Sequence, residues 1–277
     1  MGETRINLSA NQKKALRSGG VFQAAVRMDR VVLLEPSGTK HVVALDHEMV
    51  KIPGVGVVRA DTLRTSIGRR KTIGSRSFLV LTPTIRDDLE GLRRRAQTIG
   101  PKDVPALLWN CNLEAGDFAV EVGAGSGSLT IALAQAVGAD GRVVTYDLRR
   151  DFLDIARRNV ASAGFEGRVA FKVGDARKEL PEQDADALFL DIPDPWEAVK
   201  TSANALRPCG TFASFSPNAE QVNQTVKALG TNTFVEIRTV EIIEREIVSQ
   251  ESGTRPSFAP LGHTGYLTFA RKVLDTF

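Results

Sequence analysis

The stretch that most constrains the fold lies near the middle of the chain and reads Phe118-Ala-Val-Glu-Val-Gly-Ala-Gly-Ser-Gly-Ser-Leu129. Its first half predicts a short buried strand, because the apolar residues Phe118, Val120 and Val122 alternate and are bounded by turn residues. The glycines that follow let the backbone turn sharply and approach a ligand closely, since no side chain intervenes. Apolar residues from Leu129 onward recur at the spacing of a helix packed on a sheet. Strand, glycine loop and helix together form the first unit of a nucleotide-binding α/β fold.

The glycine loop differs from two common phosphate-binding loops. The dinucleotide pattern G-x-G-x-x-G needs glycine where Ser128 stands, and the Gly-Lys-Ser/Thr of a Walker loop is absent. Instead Asp147 closes the next predicted strand, Arg142–Asp147, where its carboxylate can accept hydrogen bonds from both ribose hydroxyls of a nucleoside. Nucleoside binding is therefore predicted; the alternative is a strand–helix turn whose glycines serve packing alone. The arrangement resembles the S-adenosylmethionine site of class I methyltransferases, whose loop meets a cofactor without phosphates.

Beyond the glycine loop, predicted strands and helices alternate. The strands fall at 142–147, 169–173, 187–191 and 211–216, with a closing pair at 235–243 and 265–270; the helices fall at 150–163, 196–206 and 220–229. This alternation predicts a Rossmann-like α/β domain with a mostly parallel seven-stranded sheet and helices on both faces. Ligands of such sheets bind beyond the carboxyl ends of the strands. That edge collects the glycine loop, Asp147, Asp175 and Asp191.

The first part of the chain reads as short strands separated by turns, at 21–27, 30–34, 41–45 and 78–81. We expect a small antiparallel barrel or sandwich over residues 1–81, followed by the catalytic domain over 82–277. Thr84 and Asp103 are each predicted to cap a helix that begins just after them.

Charge is distributed unevenly along the chain. The formal net charge is +3, yet residues 1–103 hold 19 Lys and Arg against 10 Asp and Glu, whereas residues 104–277 hold 17 against 23. A basic first part favours contact with a polyanion, the alternative being a solvated charged surface. The runs Arg69-Arg70-Lys71 and Arg93-Arg94-Arg95 can bind phosphates or can simply be exposed.

Composition excludes several classes of protein. No apolar run reaches membrane-spanning length, and residues 1–20 lack the hydrophobic region of a signal peptide, so no membrane association is expected. The 3 histidines are scattered, and the cysteines, Cys111 and Cys209, are far apart, so no metal site is expected. Buried thiols in a reducing compartment, the cytoplasm, are the simplest interpretation.

Leu190-Asp-Ile-Pro-Asp-Pro-Trp196 is the second stretch with chemical meaning. Its two prolines restrict φ and predict a stiff loop at the end of a strand, which suits a reacting group because small misplacements are costly in rate. Trp196 offers a flat face for a base or for packing. The alternative is a proline-rich turn over a core tryptophan. Asp175 can accept a hydrogen bond from an adenine amino group, or it is a turn aspartate after glycine.

Four motifs together resemble the tRNA adenine-N1 methyltransferase family that modifies the T-loop. They are Arg95-Ala-Gln-Thr-Ile-Gly-Pro-Lys-Asp103, Glu121-Val-Gly-Ala-Gly-Ser-Gly-Ser-Leu129, Leu190-Asp-Ile-Pro-Asp-Pro-Trp196 and Gly262-His-Thr-Gly-Tyr-Leu267. The resemblance implies that Asp191 is catalytic. The residues that it assigns to the cofactor are Gln97, Thr98, Ile99, Glu121, Gly123, Gly125, Ser126, Gly127, Ser128, Leu129, Asp147, Leu148, Asp175, Ala176 and Asp191. The residues expected to contact tRNA are Arg93, Arg94, Arg95, Pro193, Trp196 and His263.

The resemblance also implies an activity and an assembly. The expected reaction is S-adenosylmethionine-dependent methylation of N1 of adenine 58 in tRNA, with adenine 57 left open. A homotetramer is expected, or a heterotetramer with a non-catalytic paralogue if the source is eukaryotic. Two positions depart from the family: Gly100 stands where tyrosine is common, and Asp147 where glutamate is common. The alternatives are a class I methyltransferase for another substrate and a non-catalytic tRNA-binding subunit.

Overall fold

The computed structural model describes residues 29–92, 98–250, 253–258 and 262–275. The chain divides into two compact units, Met1–Gly91 and Leu92–Phe277. The strand predicted at 21–27, the arginine run 93–95 and Gln97 lie outside the described residues.

The first unit consists of short antiparallel strands and two short helices. Its elements are β1 (Arg30–Leu34), β2 (Lys40–Ala44), β3 (Met49–Ile52), β4 (Gly56–Arg59), α1 (Ala60–Arg64), β5 (Arg70–Ile73), β6 (Arg76–Leu81) and α2 (Ile85–Glu90). Four strands form a sheet in the order β2-β1-β6-β5, and β3 and β4 form a separate hairpin. Val31, Leu33, Phe78 and Val80 belong to the core of this unit, which also takes up residues of the hairpin and of α1.

Thr84 caps α2, as predicted from the sequence. The Thr84 side chain accepts a hydrogen bond from the backbone N–H of Asp87, and the Asp87 carboxylate accepts one from the backbone N–H of Thr84 at 2.8 Å. This reciprocal capping box satisfies two donors at the start of the helix.

The second unit is a sheet flanked by helices. Its strands are β7 (Phe118–Val122), β8 (Arg142–Asp147), β9 (Val169–Val173), β10 (Ala185–Leu190), β11 (Leu206–Ser216), β12 (Phe234–Glu241), β13 (Ile247–Gln250), β14 (Gly253–Pro256) and β15 (Tyr266–Lys272). Its helices are α3 (Val104–Asn110), α4 (Ser128–Ala136), α5 (Arg150–Ser162), α6 (Val199–Ala205) and α7 (Ala219–Gly230).

The main sheet has seven strands in the order β12-β15-β11-β10-β7-β8-β9. Strand β15 runs antiparallel to both of its neighbours, and the pairs from β11 to β9 are parallel. The predicted Rossmann-like, mostly parallel sheet is confirmed. Strand β7 lies in its interior and every residue of it is buried, which explains its nearly continuous apolar sequence.

Three local predictions need correction. The helix expected over 196–206 begins as a 3-10 helix, Pro195–Ala198, before α6 takes over. Asp103 precedes α3 but makes no side-chain cap, because its carboxylate is bound by Lys102 and Thr264. Cys111 is buried as expected, whereas Cys209 is exposed in a left-handed backbone turn (φ 63°).

No helix among the described residues combines the length and the apolar character that crossing a membrane requires. The same part of the chain contains no cluster of three or more His, Cys, Asp or Glu arranged to hold a metal ion.

Candidate functional site

The glycine loop, residues 123–127, connects β7 to α4. Gly123, Gly125 and Gly127 all have positive φ (98°, 52° and 83°), where side chains are strained. A Cβ atom on Gly123 would lie 2.0 Å from the carbonyl oxygen of Asp191, and one on Gly127 would lie 3.1 Å from Cα of Ala156 in α5. The first and third glycines are therefore required both by backbone conformation and by close approach.

Hydrogen bonds tie this loop to the end of β8. The backbone N–H groups of Gly123 and Ala124 donate to the Tyr146 carbonyl at 2.8 and 3.0 Å. Asp147 accepts from the N–H of Gly125 at 3.2 Å through Oδ2 and from the N–H of Arg149 at 2.9 Å through Oδ1. The Asp147 carboxylate thus lies beside the glycine loop in a defined orientation.

Glu121, on β7, is a buried carboxylic acid below the loop. Its Oε2 accepts hydrogen bonds from the hydroxyls of Thr130 at 2.5 Å and Thr145 at 2.6 Å. Burial raises the pKa of Glu121 to about 8; the two threonine hydrogen bonds oppose the rise, and the negative charges of Asp191 and Asp147 add to it.

Asp191 follows β10 directly and is half-buried. Its backbone N–H donates to the Val122 carbonyl at 2.8 Å, which extends the pairing with β7 by one bond. Its carboxylate accepts no hydrogen bond from any residue that the structure describes. Burial, together with the negative charge of Asp147, raises the pKa of Asp191 from 3.8 to about 7.

Two adjoining depressions meet at Asp191. The larger, of about 380 Å³, is bounded by the ends of β7, β8 and β10 and by the turn after β9. Its lining residues are Val122, Gly123, Asp147, Leu148, Arg149, Gly174, Asp175, Ala176, Arg177, Asp191, Ile192, Pro193 and Asp194. The smaller is lined by Thr98, Ile99, Glu121, Gly123, Ala124, Gly125, Ser126, Ser128, Leu129 and Asp191. Gly123 and Asp191 line both, so the two form one continuous site.

Asp175 lines the larger depression, but its carboxylate is already engaged. Arg177 donates to it through Nε at 2.8 Å and Nη2 at 3.0 Å, and these bonds hold the pKa of Asp175 below its ordinary value. The same guanidinium donates from Nη1 to Asp194 at 2.6 Å. A ligand amino group would therefore share Asp175 with Arg177.

The stiff loop of residues 191–196 borders the same site. Gln221 donates from Nε2 to the Pro193 carbonyl at 2.9 Å, and Trp196 is half-buried. Both ring nitrogens of His263 have protein partners, the Pro217 carbonyl at 2.9 Å and Glu241 at 2.7 Å. The bond to Pro217, and then the one to Glu241, raises the pKa of His263.

Most of the sequence-predicted cofactor residues come together in this site, from Thr98 and Ile99 to Asp191. Sequence reasoning missed four residues that shape it: Thr130, Thr145, Arg149 and Arg177. The threonines are paired with Glu121 across β8 and α4, so no local pattern marks them. Arg177 follows Asp175 by two residues, a spacing at which a side chain folds back on its neighbour.

The donor set suits S-adenosylmethionine rather than a phosphate ligand. The positive-φ glycine loop leaves room for close approach, and no Cβ can stand at Gly123. The acidic groups Glu121, Asp147 and Asp191 surround that space, an environment that disfavours phosphate and favours ribose hydroxyls and cationic groups.

Comparison with known proteins points to one family. Residues 78–254 match the sequence profile described as tRNA methyltransferase complex GCD14 subunit. The tRNA (adenine(57)-N(1)/adenine(58)-N(1))-methyltransferase TrmI of Methanocaldococcus jannaschii is 38% identical over 221 residues, which cover 70% of this chain and 78% of that protein.

Two solved structures share the fold across most of the chain. A SAM-dependent O-methyltransferase from Thermotoga maritima superposes with a TM-score of 0.80 at 30% identity, covering 91% of this chain and 95% of the other. The tRNA (m1A58) methyltransferase TrmI of Aquifex aeolicus gives a TM-score of 0.71 at 26% identity, covering 90% and 98%.

Proposed function

This chain belongs to the family of the tRNA methyltransferase complex GCD14 subunit, and we propose that it methylates N1 of an adenine in the T-loop of tRNA, with S-adenosylmethionine as the methyl donor. The observation that carries the proposal is the position of Asp191. Asp191 lies where the glycine-loop depression and the larger depression meet, and its carboxylate has no hydrogen-bond partner among the described residues.

The residues around the two depressions divide the work of holding the cofactor. Asp147, oriented by the N–H groups of Gly125 and Arg149, would accept the ribose hydroxyls. The turn containing Asp175 and Ala176 would bind the adenine, with Asp175 shared between it and Arg177. The smaller depression would take the methionine end. When bound, the cofactor supplies an electrophilic methyl group on a positively charged sulfur.

Asp191 would act on the target base. Adenine N1 carries a lone pair, so the protein mainly has to position the reactants in line. Methylation at N1 leaves a cationic base, which a nearby carboxylate stabilises. We assign Asp191 to orient the exocyclic amine and to accept its proton. Because its pKa is about 7, it is ionised, and able to accept, only at neutral pH and above.

The RNA must be held by its backbone while the base leaves the folded T-loop, which costs a few kcal/mol. The basic first part of the chain suits this role. Arg69 and Arg70 are exposed, and neither has a carboxylate partner in the described part of the chain. The proposed contacts also include Pro193, Trp196 and the run Arg93–Arg95, which lies outside the described residues. His263 would contribute by holding its loop in place.

The test is direct methylation. The purified chain is incubated with unmodified tRNA and S-adenosylmethionine, and the methyl group is mapped by mass spectrometry of nuclease fragments. We expect N1-methyladenosine at position 58; product at 57 as well would widen the specificity. Methylation of a protein or small molecule in place of tRNA would refute the proposal.

The role of Asp191 is tested separately with the variant Asp191→Ala. This variant should still bind the cofactor, as measured by calorimetry, but should methylate tRNA far more slowly. Near-normal turnover would show that Asp191 has no part in the mechanism.

We further propose a homotetramer located in the cytoplasm. Large apolar side chains are exposed on and beside the β13–β14 hairpin, at Ile243, Ile247 and Phe258, and a partner chain would cover them. The two cysteines are unpaired, in keeping with a reducing compartment. Light scattering after size exclusion would measure the mass, and a monomer would contradict the assembly.

A further inference from the structure

Arg177 connects the two loops that frame the larger depression. Its guanidinium makes two parallel bonds to Asp175, in the turn after β9, and a third to Asp194, in the loop after β10. Such fork-to-carboxylate geometry is specific to arginine, since a lysine ammonium cannot make the paired bonds and reach a third oxygen in the same arrangement.

The loop that receives this third bond is the one that carries Asp191. Asp194 stands between Pro193 and Pro195, which restrict the backbone on both sides. The loop is attached at its start by the bond from the Asp191 N–H to Val122, and at Pro193 by Gln221. Without Arg177, no described side chain would tie Asp194 to the β9 side of the site.

We propose that Arg177 is a positioning residue: it joins the cofactor-side turn at Asp175 to the 191–196 loop and thereby holds the Asp191 carboxylate in its working position. The inference rests on the proposed function, because it assigns Asp191 the acceptor role. It goes further in giving a role to a residue that contacts neither the proton nor the methyl group.

Charge gives Arg177 a second effect on the same carboxylate. Four aspartates line the larger depression: Asp147, Asp175, Asp191 and Asp194. Arg177 pairs with both Asp175 and Asp194, so its single positive charge offsets one of these two negative charges, and Arg149 lies 3.7 Å from Asp147. Asp191 also interacts with the carboxyl group of Glu121, from β7, whose own pKa is raised to about 8. Loss of the Arg177 charge makes the net charge of these carboxylates more negative by one unit, and additional negative charge nearby raises the pKa of a carboxyl group.

Three variants separate these effects. Arg177→Lys keeps the positive charge but cannot make the paired hydrogen bonds to Asp175 together with the bond to Asp194. Arg177→Met removes both the charge and the hydrogen bonds. Lys178→Met removes a neighbouring charge that is 82% exposed and lies 3.9 Å from Asp175, so it serves as the matched control. Each variant is examined by hydrogen–deuterium exchange of the free protein, by calorimetric binding of S-adenosylmethionine, and by the pH profile of tRNA methylation.

The proposal predicts a distinct pattern for each variant. Amides of residues 191–198 exchange faster in both Arg177 variants and not in Lys178→Met. In Arg177→Lys, kcat falls on the order of 10- to 100-fold, by more than the KM for tRNA rises, because the carboxylate is misplaced. In Arg177→Met alone, the apparent pKa near 7 in the pH profile of tRNA methylation also shifts to higher pH, by about half a unit or more.

Two results would overturn the proposal: unchanged exchange over residues 191–198 in both Arg177 variants, or a pH shift in Lys178→Met equal to that in Arg177→Met. The exchange measurement needs neither cofactor nor tRNA. If the wild-type chain failed to methylate tRNA, the proposed function would fail while the exchange result would still decide whether Arg177 holds the loop.

Discussion

At the scale of single residues, Gly123 has the least space for a side chain of the glycines that the structure describes. Its φ of 98° alone strains any other residue, and the space for a side chain is taken by the carbonyl of Asp191. We expect Gly123→Ala to lower the free energy of unfolding by more than about 3 kcal/mol and to abolish cofactor binding, since backbone must shift.

Gly164 is the matched control for this substitution. It too has a positive φ (81°), but no atom lies within 4 Å of its missing Cβ. Gly164→Ala should cost only about 1 to 2 kcal/mol, the strain of the conformation itself. Urea denaturation of both variants measures the difference, and equal losses would show that the contact with Asp191 contributes nothing.

The ionised carboxylate of Asp191 should lower the free energy of unfolding. Its pKa is raised from 3.8 to about 7 in the folded chain, so ionisation is penalised on folding. This loss of stability is absent below about pH 4, grows as the pH rises from about 4 to about 7, and is complete above about pH 7. Asp191→Asn should therefore raise the free energy of unfolding by about 1 to 4 kcal/mol at pH 8, and by less at pH 5.

Urea denaturation at the two pH values tests this sign. Asp154→Asn, at an exposed position of α5, is the control for the replacement of aspartate by asparagine. A gain for Asp191→Asn that is larger at pH 5 than at pH 8 would contradict the assignment.

At the scale of elements, the Lys102–Asp103 pair joins segments that are distant in sequence. The Lys102 ammonium is 2.7 Å from Asp103 and 2.6 Å from the carbonyl of Ile242, and Asp103 also accepts from Thr264. Both charged side chains are almost fully buried. The pair therefore fixes the segment that leads from Ile99 into α3 against the segment that leads into β15.

Breaking this pair on one side should be costly. Lys102→Met leaves Asp103 buried and unpaired, and we expect a loss of about 3 to 5 kcal/mol in the free energy of unfolding. Lys102→Met with Asp103→Asn should recover part of it, because no buried charge remains. Arg271→Met, which removes an exposed pair with Glu236, is the control and should change little. A double variant no more stable than the single one would refute the explanation.

The elements that sequence predicts well are those whose neighbours along the chain decide them. Strands β8 and β9 have the predicted bounds, because each is an apolar run between turn residues. The predicted cap at Thr84 is confirmed for the same reason, because its partner Asp87 is close in sequence. The predicted cap at Asp103 is wrong because Thr264, 161 positions away, donates a hydrogen bond to its carboxylate.

The residues of the candidate site likewise include some that the sequence predicts and some that it does not. Its glycine loop and strand-end aspartates can be predicted, because parallel strands bring their carboxyl ends to one edge. Arg177 could not be predicted from the sequence, since its role depends on Asp194, 17 residues further along and on another loop. The threonines around Glu121 are equally non-local.

At the scale of the whole molecule, charge should govern RNA binding. Replacing Arg69, Arg70 and Lys71 by alanine should weaken tRNA binding and reduce the slope of log Kd against log salt by about 2, since each lost phosphate contact contributes about 0.7 to 0.9. Cofactor affinity should stay unchanged.

Arg59 and Arg76 provide the control for this experiment. They belong to the same unit, but each already lies beside a carboxylate, Glu48 at 3.0 Å and Glu35 at 3.5 Å. Their double alanine variant should alter the salt slope much less. An unchanged slope for the 69–71 variant would exclude that run from the RNA-binding surface.

The position of β15 has a consequence for synthesis of the protein. Among the described strands, β12 pairs only with β15, which is inserted between β12 and β11 although it follows both of them in the chain. A nascent chain that has emerged as far as β12 therefore exposes an unpaired edge on β11 and has no sheet neighbour for β12. Assembly of this sheet during translation must therefore wait for residues 266–272, and premature termination before Tyr266 removes the pairing of two strands at once.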